Sequence, residues 1–303
     1  MDFTLDALGV LLRTLSDSGY SFLAVKDASV RQDMADSHQV ILRHDIDRRP
    51  SYALACARME ASLGIFGTYY FRITPGSFDK DIIQEIAAAG HEIGYHYEDL
   101  DLVARRGMSN SEGRVSDIEY LASMAFVSFS ENLKKFRQLC TVTTACMHGS
   151  PMSPYDSRLI WRYYDYGAAG IDVEPYFDIS LERSLYLTDT GRRWNGSSVS
   201  IRDKVYSRNE EYYEEWVRKP LRGSAMAMTA PGDEIQREYR FRQTGDIIAA
   251  VRDGRLPARI FMTIHPQRWS NGIIPWMGEL VSQTFKNRSE EHTSELQSHH
   301  PIS

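Results

Sequence analysis

The run Val40-Ile41-Leu42-Arg43-His44-Asp45-Ile46-Asp47 constrains this chain more than any other stretch, because an apolar, β-branched strand stops in a histidine and two alternating carboxylates. Residues two apart on a strand project to the same side, so Asp45 and Asp47 enter one small volume at the strand's end. Two like charges at that spacing repel unless a cation or a shared proton lies between them. A positive guest is therefore expected there.

Strand-helix units follow. Pro50 sits where a proline can begin a helix, Leu54 to Leu63 carries it, and Gly64 closes it. Gly67 to Ile73 reads as a second strand, Asp79 caps a helix through Ile82, Ile83 and Ile86 that stops at Gly90, and His91 to His96 is a third strand ending in a histidine. Two more strand ends stand out: Thr143 to Met147 leads into His148-Gly149-Ser150-Pro151, and Arg259 to Ile264 leads into His265-Pro266. Between them lie a helix around Asp156 to Tyr164, a segment Leu185 to Trp194 and a charged aromatic stretch from Tyr206 to Trp216. This alternation predicts the α/β class, with a parallel sheet or barrel whose chemistry collects at the C-terminal edge of its strands. The helical spacing of Leu5, Leu8, Leu11, Leu12 and Leu15 predicts an opening helix ending near Gly19, packed with the rest of residues 1–30 outside the domain.

Composition narrows the function classes. Hydrophobic residues at 42% and charged ones at 25% are those of an ordinary globular protein. No run approaches the roughly 18 apolar residues of a membrane span, and Met1 to Val30 lacks a basic start followed by an apolar core and a cleavage site. A cytoplasmic location without a membrane span is expected. A net charge of -6 gives no reason to expect a nucleic-acid partner. Cys56, Cys140 and Cys146 form no CxxC pair and read as buried thiols. From Arg288 to Ser298 the chain reads as a translated short-read sequencing adapter. Residues 288–303 are therefore expected to be a non-native tail in place of the natural C-terminus, and residues 1–287 a single catalytic domain. His292, His299 and His300 leave the set of candidate ligands with that tail.

Four strand ends thus offer Asp45 and Asp47, His96, His148 and His265. A zinc-type site wants about three histidine and carboxylate ligands and an open position, and this set supplies them. The combination resembles the polysaccharide deacetylase family, metal-dependent carbohydrate esterases that remove N- or O-acetyl groups from sugars, over about Gln39 to Trp269. The resemblance implies a distorted (β/α) barrel, a divalent metal such as zinc and a carbohydrate substrate. It also implies roles: Asp45 as catalytic base, Asp47 as metal ligand, and Gly90 to His96 as the second motif with His96 as metal ligand. In Ile264-His265-Pro266, His265 resembles the histidine that protonates the leaving group. Two departures mark a divergent branch, similar to deacetylase-like proteins found with bacterial surface-polysaccharide genes. Leu100 stands where a further histidine follows the first by four positions, and His148-Gly149-Ser150-Pro151 stands where an arginine-proline motif is usual. His148 is the first choice for the third ligand and Glu98 the second.

The roles imply a mechanism in which Asp45 takes a proton from the attacking water and His265 gives one to the departing amine. His44 either orients Asp45 or packs under the barrel; Asp189 and Arg193 either tune His265 and bind substrate or form a loop ion pair. Tyr69, Tyr95, Tyr97, Trp194 and Trp269 suit stacking on sugar faces or packing in the core. Two other readings remain. A nucleotide-sugar glycosyltransferase also carries Asp-x-Asp at a strand end but leaves three strand-end histidines unexplained. A non-catalytic carbohydrate-binding relative would have lost its metal with the histidine missing at Leu100.

Overall fold

A computed structural model describes residues 1–30, 37–109, 118–149, 155–181, 184–194, 235, 238–273 and 276–278. The stretch from Tyr206 to Trp216 and the tail 288–303 lie outside the described residues. The order is α1 (Leu5–Asp17), β1 (Ser21–Leu23), α2 (Val25–Val30), β2 (Gln39–Ile46), α3 (Pro50–Ser62), β3 (Thr68–Phe71), α4 (Lys80–Ala88) and β4 (Glu92–Tyr97). It continues with α5 (Asp99–Ser109), α6 (Ile118–Arg137), β5 (Ala145–Met147), α7 (Ile160–Tyr163), α8 (Pro175–Asp178), β6 (Leu185–Thr188), α9 (Thr244–Arg252) and β7 (Arg259–Ile264). Short 3-10 turns precede α7 and follow β6 and β7.

Among the described residues, seven strands form one sheet in the order β5-β4-β3-β2-β7-β6, with β1 paired to the start of β2, and every pairing is parallel. The sheet curls into a half-barrel. Parallel strands need crossovers, and the helices between them cover the outer face. That is why β2 is buried along its whole length, flanked by β3 and β7 and covered on both faces.

Alternation along β2 sorts its residues. Val40 and Leu42 pack outward with α1, α3 and α9 residues such as Leu8, Cys56 and Ile247. Ile41 packs inward with Tyr70, Cys146 and Phe261. Arg43 and Asp45 continue the inward row and His44 the outward one. In register, Asp45 lies beside Tyr70 and Tyr70 beside Gly94. A Cβ on Gly94 would stand 2.2 Å from the Tyr70 ring, so glycine is what lets that ring lie across β4. The local stop signals act as their chemistry dictates. Asp79 accepts from the Ile82 N–H at the start of α4, and Gly90 takes φ +97 just after its end.

Among the described residues no helix is long and apolar enough to cross a membrane.

Candidate metal centre

Three strand ends converge on one point. Asp47 follows β2 directly, His96 lies near the end of β4, and His148 follows β5. One ligand atom from each lies within 4.8 Å of the others, the one such group among the described residues. The His148 Nδ1 is 3.2 Å from His96 Nε2 and 3.3 Å from Asp47 Oδ1, and His96 Nε2 is 3.9 Å from Asp47 Oδ1. Donors held ~2.0–2.1 Å from a tetrahedral cation are ~3.3–3.4 Å apart, so two of the three edges already have that length. The third, at 3.9 Å, needs to close by about half an ångström.

The hydrogen-bond pattern fits a cation-binding group. Asp47 Oδ1 is buried and, although His148 Nδ1 lies 3.3 Å away, makes no well-formed hydrogen bond, a costly state for a carboxylate oxygen unless something positive binds it. The other oxygen, Oδ2, accepts from the Gln267 side-chain amide at 3.2 Å. His96 Nδ1 faces the Cys146 carbonyl at 3.0 Å and so carries the proton, leaving the Nε2 lone pair directed at the centre. Burial pushes the His96 pKa down to about 3 despite the pull of Asp45, so the ring is neutral, as a ligand must be. Burial alone would raise Asp47, but His148 and His265 outweigh it and hold the carboxyl well below its ordinary value. One carboxylate and two imidazoles fit a divalent metal with a position left open.

Asp45 stands beside this group, its Oδ2 3.8 Å from His96 Nε2. Both its oxygens are clamped by Arg43, at 2.7 Å from Nε and 2.6 Å from Nη2. The guanidinium lies over the Tyr70 and Tyr176 rings at 5.5 and 5.9 Å. Burial opposes ionisation of Asp45, yet Arg43, with His96 and His265 behind it, holds its pKa at about 2.

Across the β2–β7 pairing, His265 follows the last residue of β7. Its Nδ1 is 2.6 Å from Asp189 Oδ1, and its backbone N–H donates to Asp189 Oδ2 at 2.9 Å. Arg268 and the Trp269 indole donate to the same carboxylate at 2.8 and 2.7 Å. Burial would raise Asp189, but His265 and Arg268 overcome it, and its pKa is lowered. An ionised Asp189 fixes the tautomer with the proton on His265 Nδ1 and leaves Nε2 for other work.

His44, Glu98, Arg193 and the five aromatics all lie outside the ligand group. His44 joins neither Asp45 nor the centre: alternation turns it outward, where it binds Glu60 and Thr68. Glu98 is held by the Arg72 guanidinium at 2.7 to 2.9 Å and is absent from the ligand group. Arg193 is exposed, and the arginine on Asp189 is Arg268. Tyr69, Tyr95, Tyr97, Trp194 and Trp269 are all at most 1% accessible, which makes them core rather than sugar-stacking surface.

Sequence reasoning missed Arg43, Gln267 and Glu174. Arg43 carried a signal, since it is two residues from Asp45 on the same strand face. Glu174 accepts from the Tyr97 hydroxyl at 3.0 Å and the Met147 N–H at 3.2 Å, the neighbours of His96 and His148. Nothing in the sequence singled it out.

No family model matches this chain, and no curated protein matches it. Among solved structures, that of a family 4 carbohydrate esterase from Bacillus anthracis is similar at a TM-score of 0.34 and 13% identity, covering 90% of this chain and 91% of that one.

Proposed function

We propose that this chain is a metal-dependent hydrolase that removes an acetyl group from a sugar or glycan precursor, on a distorted (β/α) barrel of the polysaccharide deacetylase type. The convergence of Asp47, His96 and His148 beside an ionised Asp45 is the observation that carries the reading. Asp47 Oδ1, His96 Nε2 and His148 Nδ1 are the atoms that would hold a divalent cation, zinc being the natural choice for this donor set. When bound, such a cation supplies Lewis acidity to the acyl carbonyl and to the attacking water.

The chain's own residues do the rest. Asp45 Oδ2 faces the centre and accepts the proton of the attacking water; Arg43 holds that oxygen in place and ionised at every physiological pH. His265 Nε2 delivers a proton to the departing nitrogen or oxygen of the sugar, and Asp189 stabilises the imidazolium before that transfer. His148 takes the place of the absent histidine at Leu100, whose own side chain is buried in the core.

The test is a metal-loaded screen of N-acetylated sugar nucleotides and lipid-linked sugar precursors that measures released acetate. Acetate release that falls roughly 10²- to 10⁴-fold in Asp45→Asn supports the reading. Sugar transfer without acetate would move the protein to the glycosyltransferase class, and equal rates for Asp45→Asn and parent would remove Asp45 as base.

A further inference from the structure

Gln267 lies in the 3-10 turn Pro266–Arg268, two residues after His265, and is 4% accessible. Its side-chain NH₂ donates to Asp47 Oδ2 across 220 residues of sequence. The amide cannot be turned round, because its oxygen would then face a carboxylate oxygen. In the orientation that remains, Gln267 Oε1 is buried and has no hydrogen-bond partner among the described residues. Asp47 is thus what fixes this side chain, and the rest of its polarity is unused in the fold.

A buried glutamine with an orphaned carbonyl is a poor structural choice where leucine or methionine fills similar space without an unmet acceptor. The compensation must lie in Asp47. With Oδ2 occupied by Gln267, the carboxylate cannot rotate to present either oxygen at will. It turns Oδ1, the oxygen without a well-formed hydrogen bond, toward His148 and His96, at 3.3 and 3.9 Å. We infer that Gln267 is a positioning residue that locks the Asp47 carboxylate for one-oxygen binding of a divalent cation and links that ligand to the turn carrying His265. The inference rests on the reading of Asp47, His96 and His148 as metal ligands. Outer partners of this kind, when removed, typically weaken metal binding ~10- to 100-fold.

The experiment titrates zinc into metal-free parent, Gln267→Leu and Gln267→Met proteins against a chromophoric chelator, and melts the same metal-free samples. Zinc affinity at least tenfold weaker in both variants, with metal-free melting temperatures unchanged or higher, is the expected result. Equal zinc affinity in parent and variants overturns the inference and leaves the metal centre standing. Weaker affinity accompanied by a lower metal-free melting temperature in both variants also overturns it, because Gln267 would then be a fold-stabilising residue. A parent that binds no zinc stoichiometrically removes the metal centre itself and this inference with it. If one variant fails to fold, the other decides.

Discussion

The two faces of β2 carry nearly the same chemistry and treat it oppositely. Outward, His44 faces the Thr68 carbonyl at 3.2 Å and Glu60 Oε1 at 2.8 Å, while Glu60 Oε2 accepts from the Tyr69 hydroxyl at 2.8 Å. His91 closes the group, with Nε2 3.0 Å from the Ala57 carbonyl and Nδ1 accepting from the Gly67 N–H at 3.3 Å. Two histidines, a carboxylate and a tyrosine are buried there with their side-chain polar atoms matched by the fold. Inward, Asp47, His96 and His148 also gather two histidines and a carboxylate, but Asp47 Oδ1 is buried without a well-formed hydrogen bond, His148 Nδ1 standing 3.3 Å away. Residue type does not separate the two clusters. Completeness does: the outward network is closed, and the inward one leaves a buried carboxylate oxygen beside two imidazoles without a well-formed hydrogen bond.

The sharpest way to break the comparison is to open the closed network. Glu60→Ala strands the His44 imidazole and the Tyr69 hydroxyl in the core, so it is expected to cost about 3–5 kcal/mol of stability in denaturant unfolding. Its zinc affinity, once refolded at low temperature, should equal the parent's. A changed affinity with intact stability would show that the outward cluster also serves the centre.

A smaller effect comes from Glu174, which is intermediate between the two cases: buried, matched by three N–H or O–H donors, and yet driven by burial to a pKa of about 7, with Arg158 pulling the other way. Its ordinary value is 4.5. A carboxyl raised on folding stabilises the fold fully below about pH 4.5, and that contribution is lost as pH rises through about 7. The shift corresponds to about 3 kcal/mol. Glu174→Gln should flatten that part of the stability profile between those pH values, as read by denaturant unfolding at a series of pH values. An unchanged slope would mean that Glu174 is ionised in the fold like the inward carboxylates.

Much of the fold and of the inward cluster is legible in the amino-acid sequence, for identifiable reasons. Strand ends announce themselves because β-branched runs stop in polar residues, and Asp79, Gly64 and Gly90 punctuate helices by local chemistry that needs no distant partner. His96, His148 and Asp47 can be grouped because parallel strands bring their C-terminal ends together. The alternation that pairs Asp45 with Asp47 also places Arg43 with them and sends His44 away, a consequence of strand geometry that the Asp-x-Asp pattern does not display. Glu60 and Gln267 are out of reach of such reasoning. Each is an ordinary residue on a helix or turn until the fold carries it to a partner, Asp47 in the case of Gln267, 220 positions away. The arginine on Asp189 is Arg268 rather than Arg193 for a similar reason: the turn after β7 folds back over Asp189, while Arg193 faces solvent.

Metal analysis of the purified, zinc-loaded protein beside Asp47→Ala, His96→Ala and Glu60→Ala variants tests the central claim most directly. The account predicts about one divalent ion per chain in the parent and in Glu60→Ala, and its loss in Asp47→Ala and His96→Ala with the fold intact by circular dichroism. A parent without stoichiometric metal, or an Asp47→Ala protein that keeps it, would contradict the reading of the inward cluster as a metal centre.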